Sequence, residues 1–383
     1  MADSSLIPTE LYETMAQKPK TILWELQPHS RGKHMVLQCY LKGWLRIVGT
    51  GGTNLQIIDG FAGPGEYLDG TAGSPILVHN EVMSAPAPRN GRRIFVLCVE
   101  EDSERVAHLQ ARLATLYPTL PLHVRSTVVQ GKFTDLTSLP RIASGQLAPS
   151  FTMVDPFGVS QTPMVVLEQL LRNKSSEVYV SLMADHAARF CKDPDWDVRL
   201  TALYGTEQWR QYQDVGDHEL RRHGLVTLYE AQLRRHGAAY VVSFHLYHGR
   251  IYKYSIVFGT SHPLGCGLMK TCIWNALGSD EFIASRVDPG QLAFDLDLPL
   301  SARRPEQELG LHLRATFRGQ SILVDELDAW MHTDVHIYAP KHLRGALRLL
   351  EAEGVITVIA PSERRRRKLS YPELQGYKVA FTP

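Results

Sequence analysis

Apolar residues in the first half of the chain form short continuous runs, separated by stretches in which they recur every three or four residues. Continuous runs are typical of strands buried on both faces, and the wider spacing is typical of amphipathic helices. The runs predict five successive strands: Leu55–Ile58, Arg93–Glu100, Leu122–Val129, Ser150–Val154 and Glu177–Met183. Because helical stretches lie between them, we expect an α/β fold with a parallel, doubly wound, Rossmann-like sheet.

Two more strand patterns follow a long helical stretch. Residues 186–236 are predicted to form a helical insertion, after which come the apolar runs Ala239–Tyr247 and Ile251–Phe258. Only three residues separate these two runs, which is the spacing of a β-hairpin. The sheet is therefore predicted to end in an antiparallel hairpin.

A helical lead-in is predicted ahead of the first strand, over residues 21–49. Apolar residues recur there at helical spacing, and a glycine-rich stretch at 49–52 ends the pattern. We expect Trp24 and Trp44 to pack in the core.

The composition changes after about residue 288. Residues 289–305 are rich in proline, aspartate and arginine and read as a linker between a sheet domain (51–288) and a C-terminal domain (306–383). The C-terminal pattern is three helices followed by two strands: Glu306–Phe317, Leu323–Met331, Pro340–Glu353, Val355–Ile359 and Tyr377–Phe381. This order predicts a winged helix.

Composition narrows the class of protein. Hydrophobic residues make up 44% and charged residues 21% of the 383 residues, which is typical of a folded soluble protein. The net charge of +1 gives no electrostatic argument for nucleic acid over the whole chain. Five cysteines without a CxxC pair argue against a disulfide framework or a zinc site. No apolar run approaches the length that spans a bilayer, so we expect a cytoplasmic protein without membrane contact.

The most informative stretch runs from the first strand into a glycine-rich loop. Asp59 ends the strand and is followed by Gly60, Phe61, Gly63 and Gly65. Glycines allow a bend that a ligand can approach closely, and open α/β sheets bind ligands at this edge. The spacing matches neither a dinucleotide fingerprint nor a P-loop. The loop predicts a nucleotide-type cofactor pocket, with a ligand-free glycine-rich connection as the alternative.

Acidic residues at the end of the second strand support the cofactor pocket. Glu100 and Glu101 lie about 35 residues after the loop, and an ionised carboxylate can accept bonds from two ribose hydroxyls. Asp102 is adjacent, so at least one of the three caps the following helix.

A candidate catalytic corner follows the fourth strand. Asp155, Pro156 and Phe157 resemble the Asp- or Asn-Pro-Pro-aromatic sequence of methyltransferases that act on base amines. A carboxylate and a backbone carbonyl can accept the protons of an amine, and an aromatic ring can stack on a planar base. One proline is missing here, and a simple turn is the alternative. Together with the glycine loop, the corner predicts a class I methyltransferase that uses S-adenosylmethionine (SAM).

The combined pattern resembles the three-Cys-motif partner proteins, a bacterial methyltransferase-like family. The residues that carry the resemblance are Lys33-His34, Tyr40-Leu41, Trp44, Ile58–Gly65, Gly70, Gly73–Pro75, Asp155–Gly158, Leu203–Gly205 and Trp209. They span about residues 20–280. The resemblance implies the fold, SAM binding and a partner protein with a three-cysteine motif. A weaker likeness to a 23S ribosomal RNA adenine-N6 methyltransferase rests on the glycine loop, the Lys-His pair and the Asp-Pro corner.

The predicted winged helix carries candidate nucleic-acid contacts. Lys341, Arg344 and Arg348 lie on its third helix, and Arg364, Arg365, Arg366 and Arg367 lie at the tip of the wing. A third helix at this position can enter a major groove, and basic residues at a wing tip can bind phosphates. Residues 301–383 contain 13 Lys and Arg against 10 Asp and Glu, a small surplus for a nucleic-acid binder. Docking to a protein is the alternative.

Three functions are consistent with these residues. The first is SAM-dependent methylation of an exocyclic amine of a base in RNA or DNA. The second is an adaptor with a degenerate methyltransferase fold, which binds the three-Cys-motif partner and nucleic acid. The third, methylation of a protein or a small molecule, would use the same pocket.

Overall fold

The fold is built on one sheet of eight strands, in the order β3-β2-β1-β4-β5-β7-β6-β8. The computed structural model describes residues 21–249, 251–278, 281–284, 305–361 and 376–383. The strands are β1 (Leu55–Asp59), β2 (Ile94–Glu100), β3 (Val124–Gln130), β4 (Ser150–Val154), β5 (Ser176–Leu182), β6 (Tyr240–His248), β7 (Ile251–Thr260) and β8 (Glu281–Ala284). The first five are parallel, and β7 runs antiparallel to both β5 and β6. The predicted α/β sheet and its closing hairpin are confirmed.

Helices cover both faces of the sheet, as a doubly wound fold requires. They are α1 (Pro28–Val48), α2 (Ser74–Ser84), α3 (Ser103–Leu116), α4 (Pro140–Ala143), α5 (Met164–Leu171), α6 (Ala184–Phe190), α7 (Asp197–Tyr204), α8 (His218–Arg235) and α9 (Pro263–Ala276). One core cluster joins α1, α2, α3 and α9 to one face of the sheet. The other joins α5, α6, α7 and α8 to the opposite face. The predicted insertion at 186–236 therefore forms part of the second face.

The sequence pattern placed the start of the first helix too early. The helix begins at Pro28, a residue suited to the first turn because it has no N–H to satisfy. Residues 21–27, which the structure describes ahead of it, are not helical, and Trp24 lies over the glycine loop instead of in the core. Trp44 is buried as expected. The predicted helix included residues 21–27, but in this segment Trp24 packs against the glycine loop at Gly63.

The sequence analysis argued against disulfides, but two of the five cysteines are paired. Cys39 on α1 and Cys272 on α9 form a disulfide, with 5.5 Å between their Cα atoms. They are 233 residues apart in sequence, so no local spacing indicated the pairing. Cys98, Cys191 and Cys266 are buried and free.

The C-terminal residues form a separate small core. The helices α10 (Pro305–Thr316), α11 (Val324–Met331) and α12 (Leu343–Ala352) pack with a three-stranded antiparallel sheet. Its strands are β9 (Ser321–Leu323), β10 (Ile356–Ile359) and β11 (Lys378–Phe381), in the order β10-β11-β9. The predicted helices and the last two strands are confirmed, and the pattern missed β9 because it is only three residues long. The expected linker lies mostly outside the described residues.

Buried polar contacts attach this C-terminal unit to α9. The Lys270 ammonium donates to the carbonyl oxygens of Met331 (2.7 Å) and Thr333 (2.6 Å). Trp274 donates from its indole nitrogen to the carbonyl oxygen of Ile337 at 2.9 Å. Burial lowers the pKa of Lys270 to about 8. The contacts fix the unit against the helix that also carries Cys272. Among the residues the structure covers, none of the helices combines the length and apolar character needed to cross a membrane.

Candidate active site

Two adjoining cavities open at the carboxyl ends of the parallel strands. The larger, of about 560 Å³, extends from the glycine loop across the ends of β4 and β5 to the β6–β7 hairpin. The smaller, of about 330 Å³, lies between the ends of β2 and β3. Phe61 and Phe157 line both cavities. The predicted cofactor loop and catalytic corner are thus brought together at one edge of the sheet.

The glycine loop has a backbone that only glycine adopts without strain. Gly63 and Gly65 have φ angles of +60° and +91°, in the left-handed region. The Gly73 amide donates to the Gly65 carbonyl at 2.6 Å and draws the loop back on itself. A β-carbon at Gly65 would lie 2.7 Å from a methyl group of Leu109. Gly63, Pro64 and Gly65 line the larger cavity.

Glu100 holds this loop in place. One of its carboxylate oxygens accepts the Gly63 amide at 3.0 Å, and the other accepts the Asp102 amide at 2.9 Å. Asp102 caps α3, since its side chain accepts from the amides of Glu104 and Arg105. Glu101 is exposed at the rim of the smaller cavity. The structure therefore assigns the cap to Asp102 and leaves Glu100 and Glu101 facing the cofactor side.

Asp59 is a buried carboxyl group with one unused oxygen. Its side chain is 1% exposed, and Oδ1 accepts the Phe61 amide at 3.2 Å while Oδ2 has no partner. Burial raises the pKa of Asp59 to about 7, although a hydrogen bond from Ser74 opposes this rise. Gly73 precedes α2, and Ser74 is the first residue of that helix. A ligand donor at Oδ2 would relieve the cost of burying this group.

Aromatic rings form the floor between the two cavities. The Phe61 ring lies 5.4 Å from that of Phe133, centroid to centroid. A β-carbon at Gly60 would come within 2.5 Å of the Phe133 ring, so Gly60 allows this ring to approach the end of β1. Gly131 and Lys132 complete the wall beside them. This wall offers flat apolar surface beside the Glu100 carboxylate.

Asp155 is ion-paired at the centre of the larger cavity. Its carboxylate accepts hydrogen bonds from the Lys33 ammonium and from Ser181. Burial opposes ionisation, but Lys33 outweighs it and holds the pKa of Asp155 below its usual value. The Lys33 carbonyl accepts the Tyr179 hydroxyl at 2.9 Å, which fixes the first turns of α1 over β5. The side chain of Asp155 remains 40% exposed and faces the cavity as a carboxylate.

The residues after Asp155 form an ordered corner. The Phe157 and Gly158 amides both donate to Oε1 of Gln161, at 2.9 and 3.2 Å. The Phe157 ring meets Trp24 edge-on, with 5.4 Å between centroids, and the Arg105 guanidinium lies 5.6 Å from it. Pro156 lines the cavity beside them. A turn is present, as the alternative reading expected, and it presents an aromatic ring next to a carboxylate.

Trp24 and the N-terminal part of α1 were not predicted as site residues. A β-carbon at Gly63 would lie 3.2 Å from the Trp24 ring, so this side chain covers the loop directly. His29, Lys33 and His34 also line the larger cavity, and burial lowers the pKa of both histidines to about 3. The Lys33-His34 pair in the family resemblance was the one signal that could have placed them here.

The predicted nucleic-acid contacts lie far along the chain on the C-terminal unit. Arg344 and Arg348 are exposed one helical turn apart on α12. Lys341 donates to the side-chain oxygen of Asn275 at 2.5 Å and so contacts the sheet domain. Arg364, Arg365, Arg366 and Arg367 lie outside the described residues.

Comparisons with known proteins return distant structural likenesses. No family model matches the chain, and no curated protein matches its sequence. Trm1 from Pyrococcus horikoshii with S-adenosyl-L-methionine is similar at a TM-score of 0.38 and 11% identity, over 65% of this chain and 60% of that one. EvdMO1 is similar at 0.33 and 12%, over 69% and 50%. An O-methyltransferase from Bacillus cereus is similar at 0.31 and 15%, over 67% and 93%.

The chain thus spans 60% of the length of Trm1 and half that of EvdMO1. All three TM-scores are below 0.5, so these likenesses carry no argument about activity. The observed strand order, five parallel strands followed by an antiparallel hairpin, is that of an open, Rossmann-like α/β sheet.

Proposed function

We propose that this protein is a SAM-dependent methyltransferase that acts on an exocyclic amine of a nucleic-acid base. The observation that carries the proposal is the pairing of two carboxyl groups at one sheet edge. Asp59, with an unused buried oxygen, lies beside the glycine loop, and Asp155, held ionised by Lys33, faces the adjoining space. Asp59 suits the amine of a cofactor, and Asp155 suits the amine of the methyl acceptor.

The residues around the loop fit SAM. Oδ2 of Asp59 would accept a hydrogen bond from the ammonium of the methionine part of SAM, beside the glycine loop. Glu100 and Glu101 would bind the ribose, and Phe61 and Phe133 offer flat surface to adenine. When bound, SAM supplies a methyl group on a sulfonium, which is already a strong electrophile.

The acceptor side supplies orientation. The Asp155 carboxylate and the Pro156 carbonyl would accept the two amine protons and so aim the nitrogen lone pair at the methyl donor. The Phe157 ring would stack on the planar base. Lys33 keeps Asp155 in the ionised form that can accept a hydrogen bond.

Nucleic acid is the proposed substrate class because the acceptor corner suits a planar amine and the C-terminal unit carries exposed arginines. We propose that residues 306–383 form a winged helix, whose Arg344 and Arg348 grip the substrate backbone. The sheet domain (51–288) would carry catalysis.

Methyl-labelled SAM tests the activity directly. The protein is incubated with it and with separated RNA, DNA and protein fractions of its host. We expect label in a nucleic-acid fraction. Label in the protein fraction alone would contradict the proposed substrate class, and a full titration without SAM binding would contradict the enzyme itself.

Two observations favour an adaptor as the second candidate. The corner has a single proline, and the Trp24 ring rests against Gly63 where a cofactor would lie. In that case the sheet domain would bind a three-Cys-motif partner protein and the C-terminal unit would bind nucleic acid. The adaptor predicts partner binding together with a cofactor pocket that does not bind SAM.

The pH dependence of transfer should depend on Lys33. In Lys33→Gln, burial of Asp155 is no longer opposed, so the pKa of Asp155 rises. Since the carboxylate must be ionised, we expect the acid limb of the pH–rate profile to move to higher pH. Lys33→Arg keeps the positive charge and should leave the limb near its original position. An unshifted limb in Lys33→Gln would show that Asp155 does not titrate in the reaction.

Cofactor binding should release a proton from Asp59. Burial raises the pKa of Asp59 to about 7, and an ammonium at Oδ2 favours its ionised form. We expect SAM binding near pH 7 to release protons, measured by calorimetry in two buffers of different ionisation enthalpy. Asp59→Asn should abolish the release. Glu177→Gln is the matched control, because burial also raises the pKa of Glu177 to about 7 and this residue lies at the start of β5, away from the site. Glu177→Gln should leave the proton release on SAM binding unchanged.

A further inference from the structure

The larger cavity continues well past the catalytic corner. Its far end is formed by the N-terminus of α1, with Gln27, His29 and Ser30, and by the β6–β7 hairpin, with His248 and Lys253. The hairpin strand β7 is two places from β4 in the sheet, so the backbones of these two strands lie about 10 Å apart. In the proposed binding mode, the methyl donor and the reacting amine lie nearer the glycine loop and Asp155.

The N-terminus of α1 is suited to an anion. The helix is 21 residues long, no side chain caps its first turn, and that turn has no acidic residue. The aligned peptide dipoles leave partial positive charge at such an end. A helix terminus without a cap that lines a cavity leaves this charge available to a ligand.

His29 gives a second, independent indication of a ligand. Its side chain is 4% exposed, lines the cavity, and has an Nδ1 atom without a hydrogen-bond partner. The ring lies 6.3 Å from that of His248 and 5.5 Å from that of Tyr254, centroid to centroid. A buried ring nitrogen without a partner is costly unless a ligand satisfies it.

The charges around His29 are mainly positive. Besides burial, Lys33, Lys253 and His248 lower the pKa of His29, and Asp155 is the group that opposes them. Asp185 lies close enough to raise the pKa of Lys253 and is also paired with His218 at 2.8 Å. An anion at this end would therefore meet a favourable potential.

We propose that the N-terminus of α1, His29 and Lys253 form a phosphate subsite, so that the methyl acceptor is a nucleoside phosphate and not a free base or nucleoside. The inference rests on the proposed function and deepens it. A base placed at Asp155 extends through its ribose toward this end of the cavity, where a phosphate would meet the helix terminus, the imidazole and the ammonium. Charge-assisted bonds to such an anion are stronger than neutral ones.

Paired ligands test the subsite on the full-length protein. Adenosine and cytidine are each compared with the corresponding 5′-monophosphate, by equilibrium binding with S-adenosylhomocysteine present so that no turnover occurs. We expect at least one monophosphate to bind about tenfold more tightly than its nucleoside. The ratio should fall to about twofold or less in Lys253→Gln and in His29→Phe, which removes the ring nitrogens at similar volume. An oligonucleotide arm shows whether a phosphodiester is recognised like a free monophosphate.

Lys174→Gln is the matched control, because Lys174 is an exposed lysine at the opposite edge of the sheet, and it should keep the tenfold ratio. Unchanged S-adenosylhomocysteine binding in each variant shows that the fold is intact. Equal affinity within both pairs, or a ratio that survives in Lys253→Gln and His29→Phe, would overturn the subsite. Methyl transfer is measured on the same preparations: transfer without phosphate preference overturns the subsite alone, and phosphate preference without transfer overturns the proposed function alone.

Discussion

Replacement of Gly63 with valine is expected to weaken SAM binding by at least about a hundredfold, equivalent to about 3 kcal/mol. Two effects add. A β-branched residue at φ +60° strains the backbone, and its β-carbon would lie 3.2 Å from the Trp24 ring. The added methyl groups would also fill the space that the loop leaves open to the cofactor. Calorimetric titration with SAM measures the loss.

Gly70→Val separates the loss of binding from general backbone strain. Gly70 also has a positive φ, of +79°, but it has open space around it and does not line either cavity. We expect Gly70→Val to lower the melting temperature and to leave SAM affinity within a few-fold of the original. Equal loss of affinity in both variants would mean that the glycine loop acts on folding and does not bind the cofactor.

Replacement of Asp155 with alanine is expected to lower the rate of methyl transfer by about a thousandfold and to leave SAM affinity almost unchanged. Positioned groups that accept protons contribute on this scale. Asp155 lines the larger cavity and Glu100 lines the smaller one, so the two functions should separate. Single-turnover transfer and SAM titration on the same protein measure them.

The control for the Asp155→Ala change is Asp69→Ala, which removes an exposed aspartate from the glycine-rich segment after β1. Its transfer rate should match that of the original protein. Retention of more than a tenth of the rate in Asp155→Ala would argue against the proposed role of Asp155. Loss of SAM binding in Asp155→Ala with binding intact in Gly63→Val would reverse the assignment of the two sides.

Trp24 contacts both the glycine loop and the Asp155 corner. Its ring touches the face of Gly63 and meets Phe157 edge-on, so the cofactor and acceptor sides share this one side chain as a wall. The Arg105 guanidinium lies 5.0 Å from the Trp24 ring and donates to the Thr21 carbonyl at 3.2 Å. The segment ahead of α1 is therefore tied to α3, which begins just after Glu100.

The sequence by itself determined the sheet and the edge where the site lies. Buried parallel strands have continuous apolar runs, and polar residues follow where each strand ends, so the sequence predicts that Asp59, Glu100 and Asp155 lie at one edge of the sheet. Glycines at 63 and 65 indicated a bend, because a positive φ excludes most other residues. These signals depend on residues that are close together along the chain, so they can be recognised from the sequence alone.

Only the tertiary structure decided which distant side chains complete the site. The Lys33–Asp155 ion pair joins residues 122 apart, the Cys39–Cys272 disulfide joins residues 233 apart, and Trp24 reaches the loop from a segment that the pattern read as helix. The same holds for His29, whose unpartnered nitrogen is a property of its surroundings. Charge pairing, burial and hydrogen-bond satisfaction depend on distances through space, and periodicity along the chain carries no information about them.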